Sequence, residues 1–495
     1  MKAKLLYILL ALGLFSCSKD EMNPISNEEE PEETIVYVQF ISIAGSNITS
    51  GTSGQMTAEV LPANANNKSI SWTSSDTSIA TISDSGLITA IKNGTVQIKA
   101  TAVDQNIITV TKQITISSFS SPSNYDYEVS NSAELLSAFA NVKAGETVFI
   151  NGGNYILNTR ITLNGSGTIG NEITILGALE GARAKLDFSS MTENSSNRGL
   201  VLSGDYWIIK GIDIFGAGDN GMFISGSNNL IEFCTFSENA DTGLQIGNGG
   251  GNNTILNCDS YFNADSSLEN ADGFASKLDA GTGNKFIGCR AWQNLDDGWD
   301  GYLRGADNIT TTYENCWAIK NGYLKDGTKG AGDGNGFKTG GSDDKLLKHN
   351  AGYKNCIAVG NVFDGFDHNS NRGDIELFNC AAYDNGRNIS FSATNIANAL
   401  IIKNSVSIAS GSADSFNATT SDITNNSWQN SIVANASDYV SLNTDLLTSS
   451  RKSDGSLPNI DFMKLISGSD LIDSGIDVGI TFNGAAPDLG PFESN

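Results

Sequence analysis

Histidine is nearly absent from this chain of 495 residues: it has two, His349 and His368. Two imidazoles leave little room for a His-rich zinc site or a Ser-His-Asp triad. Basic side chains are few, 30 against 55 acidic, so the net charge is −25, which argues against nucleic acid as a partner. Proline is scarce at 7 while glycine stands at 53. That balance excludes collagen-like or proline-rich stalks and points to many tight turns between short strands. Hydrophobic residues make up 39%, enough for a real core, so the chain is not a disordered one. The first long apolar run, Leu5 to Phe15, covers 11 residues, too few to cross a bilayer as a helix.

That run has its own meaning. Lys2 and Lys4 precede it and Leu14-Phe15-Ser16-Cys17 ends it, the pattern of an export signal. The last four residues resemble a bacterial lipobox. The resemblance implies that residues 1–17 are a lipoprotein signal and that Cys17 is the lipidated first residue of the mature chain. An outer-membrane or cell-surface lipoprotein, held by its lipid anchor, is therefore expected. Residues 18–34, with Glu28-Glu29-Glu30-Pro31-Glu32-Glu33, read as a solvated acidic tether.

Residues 35–118 form a separate module. Alternating stretches such as Thr57-Ala58-Glu59-Val60 and Val96-Gln97-Ile98-Lys99-Ala100 read as half-buried strands of a small β-sandwich. Leu61-Pro62-Ala63-Asn64, Ser71-Trp72-Thr73-Ser74-Ser75-Asp76 and Gly86-Leu87-Ile88-Thr89-Ala90 resemble the bacterial immunoglobulin-like domain of group 2. Such domains are spacers or adhesion modules, and no catalytic constellation stands here. Residues 119–125 read as a linker.

The information lies in residues 126–495. They open with an amphipathic helix, Asn131 and Glu134 at capping-box spacing and Leu135, Leu136, Phe139 and Val142 in one stripe. It is placed to cap an open stack of strands, whose edge would otherwise pair with another chain. Then a repeat begins. Cys234, Cys258, Cys289, Cys316, Cys356 and Cys380 recur at spacings of 24, 31, 27, 40 and 24, with Ser405 as a seventh copy 25 further on. Five residues after each cysteine stands an asparagine: Asn239, Asn263, Asn294, Asn321, Asn361 and Asn385. A period near 24 with fixed inward positions means a solenoid, and one holding three short strands per turn fits an all-β, right-handed parallel β-helix. The cysteines then stack as free, buried thiols. The asparagines form an interior ladder at a bend.

The repeat also gives a register. Thr242-Gly243-Leu244-Gln245, Asp272-Gly273-Phe274-Ala275, Asp297-Gly298-Trp299-Asp300, Asn335-Gly336-Phe337-Lys338 and Asp364-Gly365-Phe366-Asp367 align. Adjacent coils lie about 4.8 Å apart. One column is then Thr242, Asp272, Asp297, Asn335, Asp364, the other Gln245, Ala275, Asp300, Lys338, Asp367. Asp272, Asp296, Asp297 and Asp300 converge within two coils, with Lys338 one coil beyond. Like charges at such range repel unless a cation sits among them, and an all-oxygen set suits a hard dication, Ca²⁺ above all. A lysine beside a dication can have its pKa lowered enough to act as base. Residues 271–372 hold 12 basic and 13 acidic side chains, so these coils repel an anionic polymer least. An acidic polysaccharide cleaved by β-elimination fits: the cation neutralises the uronate carboxylate and a base removes the C5 proton.

Asn270 to Lys277, Asn294 to Asp300 and Gly334 to Gly341 are similar to family 9 polysaccharide lyases, as is the tail at Asp470 to Gly475 and Ala486 to Glu493. The resemblance implies a calcium-dependent lyase of galacturonate-containing pectic polymers. It assigns Asp272, Asp296, Asp297 and Asp300 as calcium ligands and Lys338 as catalytic base. The Gly-rich, charged insertion from Gly322 to Phe337 departs from the repeat and bears on substrate fit. Arg372, Asn369 and Asn371 follow the Asp367 turn and are candidates for binding sugar; His349 and Lys348 are placed where they would reach the cleft. A monomer is expected. Homogalacturonan and rhamnogalacturonan I remain alternative substrates. A hydrolase on the same scaffold would instead need an acid and a base carboxylate across the bond, and a non-catalytic glycan-binding adhesin would fit the immunoglobulin-like module.

Overall fold

A computed structural model describes residues 35–494, apart from 50–52, 78, 91–93, 105–107, 117–124, 180–181 and 431. The signal, Cys17, the tether and nearly all of the linker lie outside the described residues. No helix among the described residues is long and apolar enough to cross a membrane.

Strands between Phe40 and Ile116 pair antiparallel in three small sheets. The alternation of Gly94–Ala102 shows why: Val96, Ile98 and Ala100 are buried while Thr95, Gln97 and Lys99 face water. Trp72 packs on both apolar clusters of this sandwich.

From Tyr127 onward the strands pair parallel, and almost every strand bonds to the third one after it. Three stacks result, of 12, 10 and 10 strands, each turn of chain contributing one strand to each. This is the parallel β-helix that the cysteine period predicts. The helix Ser132–Asn141 starts at the N-cap Asn131, whose side chain accepts from the Ala133 and Glu134 amides. It buries Leu135, Ala138 and Phe139 against the first coil. Leu136 departs from the expected stripe and is 44% exposed, because it lies one residue round from the buried face.

The interior ladders are continuous. All six cysteines of the repeat are free and buried, as is Ser405. The residue before each, from Phe233 through Asn257, Gly288, Asn315, Asn355 and Asn379 to Asn404, has φ between 51° and 62°. That left-handed turn explains the asparagines and glycine there. Asn239, Asn263, Asn294, Asn321 and Asn361 each donate from Nδ2 to Oδ1 of the next ladder asparagine at 2.8–3.0 Å, and the run ends at Asn385, which donates to Asn388. A shorter ladder that the cysteine repeat does not reveal, Asn229, Asn253 and Asn284, lines another bend. Insertions leave the ladders intact because they leave the coil as loops, as residues 322–336 do between consecutive strands.

The tail, residues 425–494, lies along the outer face of the second stack. Leu447, Phe462, Leu471 and Leu489 bury Trp317, Ile319, Ile357, Val359 and Val406 there. Arg290 and Arg451 both clasp the buried Asp259, at 2.7 and 2.6 Å, and Arg290 also donates to the Leu447 carbonyl. The tail motifs singled out in the sequence are part of this cover: Leu489 donates to Leu471, and Asp488 accepts from the Asp473 and Ser494 amides.

Candidate active site

The third stack carries one of the two predicted columns, and its pairings reproduce it residue for residue. Gln245 pairs with Ala275, Ala275 with Asp300, Asp300 with Lys338, and Lys338 with Asp367. The other column is hydrogen-bonded throughout its length: Thr242 Oγ1 donates to Asp272, the Asp297 amide to Asp272, the Asn335 amide and side chain to Asp297, and the Asp364 amide to Asn335.

Two packing features hold these columns in line. Phe274, Trp299, Phe337 and Phe366 stack inside the coil with centroids 5.2, 4.7 and 5.0 Å apart. Trp299 is therefore interior, as its place in the repeat requires. The glycine before each ring is dictated by space. A Cβ on Gly298 would lie 2.5 Å from the Gly336 carbonyl and 2.8 Å from Asn321 Nδ2. The asparagine ladder thus presses on the glycines from inside, and the acids just before them are pushed to the rim.

At the rim, Asp272, Asp296 and Asp297 each place a carboxylate oxygen within 4.8 Å of the others. Asp297 is fully buried; its Oδ2 makes no hydrogen bond and faces Lys338 Nζ at 3.1 Å. Lys338 also reaches Asp333 at 3.4 Å. Asp300, the fourth predicted ligand, turns instead to Lys277 at 3.2 Å and accepts from the Tyr302 amide. Lys277 lies 2.6 Å from Asp272. A bare cluster of this kind is strained electrostatically. Burial, then Asp297 and Asp272, push Asp296 up to about 9. Burial, opposed by Lys338 and reinforced by Asp272 and Asp300, pushes Asp297 to about 7. Burial alone would lower Lys338, but Asp297, Asp300, Asp296 and Asp272 overcome it and hold the ammonium well above the usual lysine value. So without a cation Lys338 is an acid rather than a base. A cluster of mutually repelling carboxylates, with one buried oxygen that no hydrogen bond reaches, is the donor set a hard dication satisfies.

Lys277, Asp296, Asp300 and Lys338 open on a cleft of about 520 Å³ that Arg198, Gln245, Tyr302 and Arg304 also line. Arg198 lies over the Phe223 ring at 3.7 Å and pairs with Asp219. The insertion closes one side: the amides of Asp333 and Gly334 both point at Asp296 Oδ1.

Other sequence candidates serve the scaffold. Arg372 spends its donors on the Lys345 and Ile396 carbonyls and Asn395. Asn371 is fully buried, donating to Thr339 and His349 carbonyls. Asn369 donates to the Gly340 carbonyl. His349 does not reach the cleft; it is sealed between Thr311 Oγ1 and the Gly301 carbonyl, and Lys348 precedes it at the start of that strand, its amide tied to Asp307. Sequence reasoning missed the roles of Lys277 and Asp333. Lys277 stands just past its strand, where alternation assigns no direction; its signal was its place five residues after Asp272.

Residues 115–404 match the family described as Pel9A-like, right handed beta helix region, and residues 38–112 match Big_2, the bacterial Ig-like domain of group 2. The chain is 39% identical to pectate lyase L of Dickeya chrysanthemi over 76% of its own length and 89% of that protein's. Pectate lyase L of Paenibacillus polymyxa (strain SC2) is 40% identical, covering 70% and 80%. Among solved structures, pectate lyase Pel9A superposes with a TM-score of 0.64 at 37% identity, over 72% of this chain and 90% of that one. A rhamnogalacturonan lyase superposes at 0.61 with 28% identity, over 67% and 91%. A three-stacked β-helix with this acidic rim, related at this level over most of its length, leaves one conclusion: the chain belongs to the Pel9A-like right-handed β-helix family and is a polysaccharide lyase.

Proposed function

We propose that the protein cleaves galacturonate-containing pectic polymers by Ca²⁺-dependent β-elimination, leaving an unsaturated uronate end. The observation that carries this reading is the buried set of Asp272, Asp296 and Asp297, with ligand atoms within 4.8 Å and Lys338 Nζ 3.1 Å from Asp297. Asp272, Asp296 and Asp297 would hold the cation, with Asp300 beside them. A bound Ca²⁺ supplies charge neutralisation, of the aspartates and of the uronate carboxylate whose α-proton must become acidic. With the aspartate field offset, burial is what remains at Lys338, and it favours the neutral amine. Nζ then takes the C5 proton; the C5–H pair becomes the C4–C5 double bond and the C4–O bond breaks. The leaving oxygen is protonated from water in the open cleft. Asp333 and Asp297 aim the lysine.

Homogalacturonan is favoured as substrate by the pectate lyase relatives, and the superposition on a rhamnogalacturonan lyase supports the alternative, rhamnogalacturonan I in its place. The leader pattern supports export and lipid anchoring at Cys17, with residues 35–118 as a spacer between anchor and enzyme. The test is ultraviolet absorbance of the unsaturated product on polygalacturonate and on rhamnogalacturonan I, with Ca²⁺ or chelator. A chelator-sensitive rise on polygalacturonate is expected. No rise on either polymer, and no new reducing ends, would refute the reading.

A further inference from the structure

The acid cluster has a lysine at each end, and the proposed chemistry uses one. Lys338 faces Asp297 from the C-terminal side; Lys277 bridges Asp272 and Asp300 from the N-terminal side, at 2.6 and 3.2 Å. The Lys277 side chain is 17% exposed and lines the cleft, unlike the interior polar ladders. It therefore occupies aspartates that a dication would also take. Two cationic species cannot share those oxygens without repulsion, whereas the lysine has a four-carbon stem and an open cleft to swing into. In that cleft the incoming group is a carboxylate.

We propose that Lys277 exchanges partners. In the metal-free protein its ammonium neutralises Asp272 and Asp300; with the cation in place it turns to the cleft and binds a uronate carboxylate of the polymer. The ammonium stays charged throughout. Lys277 is thereby a substrate-binding residue that the metal makes available, and the inference rests on the function proposed above.

The exchange makes two effects of opposite sign, which a structural role for Lys277 would not. In K277M, calorimetric titration of the purified protein with CaCl₂ and no polymer should show tighter binding, by several-fold. On polygalacturonate the same variant should show KM raised by about tenfold, the worth of a lost charge-assisted hydrogen bond, with kcat changed far less. Lys277→Arg keeps the charge, so both values should lie closer to those of the original protein than K277M's do. Unchanged or weaker Ca²⁺ binding in K277M, or an unchanged KM, would overturn the exchange. Should K277M not fold, Lys277→Gln is read in the same two ways. If the unsubstituted protein binds no Ca²⁺ or yields no unsaturated product, the parent reading falls and the exchange with it; the variant arms decide the exchange alone.

Discussion

Each coil of the β-helix carries two kinds of column only a few residues apart. The inner ones repeat: cysteine above cysteine, each thiol donating to backbone carbonyls, and asparagine above asparagine, each Nδ2 donating to the Oδ1 of the next. The outer one, Gln245, Ala275, Asp300, Lys338 and Asp367, changes at every step. Its neighbour accumulates acids, and one of their buried oxygens has no hydrogen bond. Identical residues can satisfy one another when stacked if they hold both donor and acceptor, as asparagine does. Stacked aspartates cannot, since each is acceptor only. The repeat stabilises and the breaks in the repeat do chemistry.

The contrast can be broken most sharply at Lys338. Lys338→Ala should lower the rate of unsaturated-product formation by about a thousandfold, as for loss of a general base, while Ca²⁺ still binds in calorimetric titration; the chelated protein should melt lower, because the buried Asp297 loses its cationic partner. Asp297→Asn should come next, weakening Ca²⁺ binding by about a hundredfold in calorimetry. It should also stabilise the chelated protein, because it removes a buried charge.

The same strain sets a pH dependence. Asp296 and Asp297 titrate near 9 and 7 in the fold against an unfolded value of about 3.9, so the fold binds the protons more tightly. Stability from these groups is complete below pH 4 and is lost as pH rises through 7 to 9. Asp367, raised to about 7 by burial and Asp364, adds to it. In the presence of chelator, the melting temperature should therefore fall from pH 5 to pH 9. The increment gained on adding Ca²⁺ should grow over the same range. A flat profile would remove the electrostatic account of the rim.

On the inner side the effects fall on stability. Asn321→Ala removes the Oδ1 that accepts from the Asn294 amide and side chain and one of the two donors to Asn361, and should cost about 3 kcal/mol in denaturant unfolding, with the activity of the folded protein retained. Cys316→Ser should cost less, below about 1 kcal/mol, since Ser405 already occupies that column and donates to the carbonyls the thiols use.

Much of this was legible beforehand for one reason. A parallel β-helix converts sequence period into spatial stacking, so aligning five Gly-aromatic motifs was enough to place Asp300 over Ala275 and under Lys338. The insertion between Gly322 and Phe337 did not disturb the alignment, because it leaves the coil at a turn. The failures have a common cause too. Arg372, Asn371 and His349 were polar residues near the predicted cleft, but nearness along the chain does not say which way a side chain points in a loop. Arg372 turned to backbone carbonyls and His349 turned inward. Lys277 lies past its strand end, so the register gave it no column.

The sequence alone thus determined the β-helix, its inward ladders and the columns of the rim, since each follows from a period that only stacking can satisfy. Tertiary structure decided what periodicity cannot reach. The tail was laid over the second stack by burial of apolar surface and the double arginine clasp of Asp259. The insertion returned its Asp333 to Lys338. Asp300 and Lys277 chose each other, because an ion pair is settled by distance and desolvation among side chains that no repeat encodes.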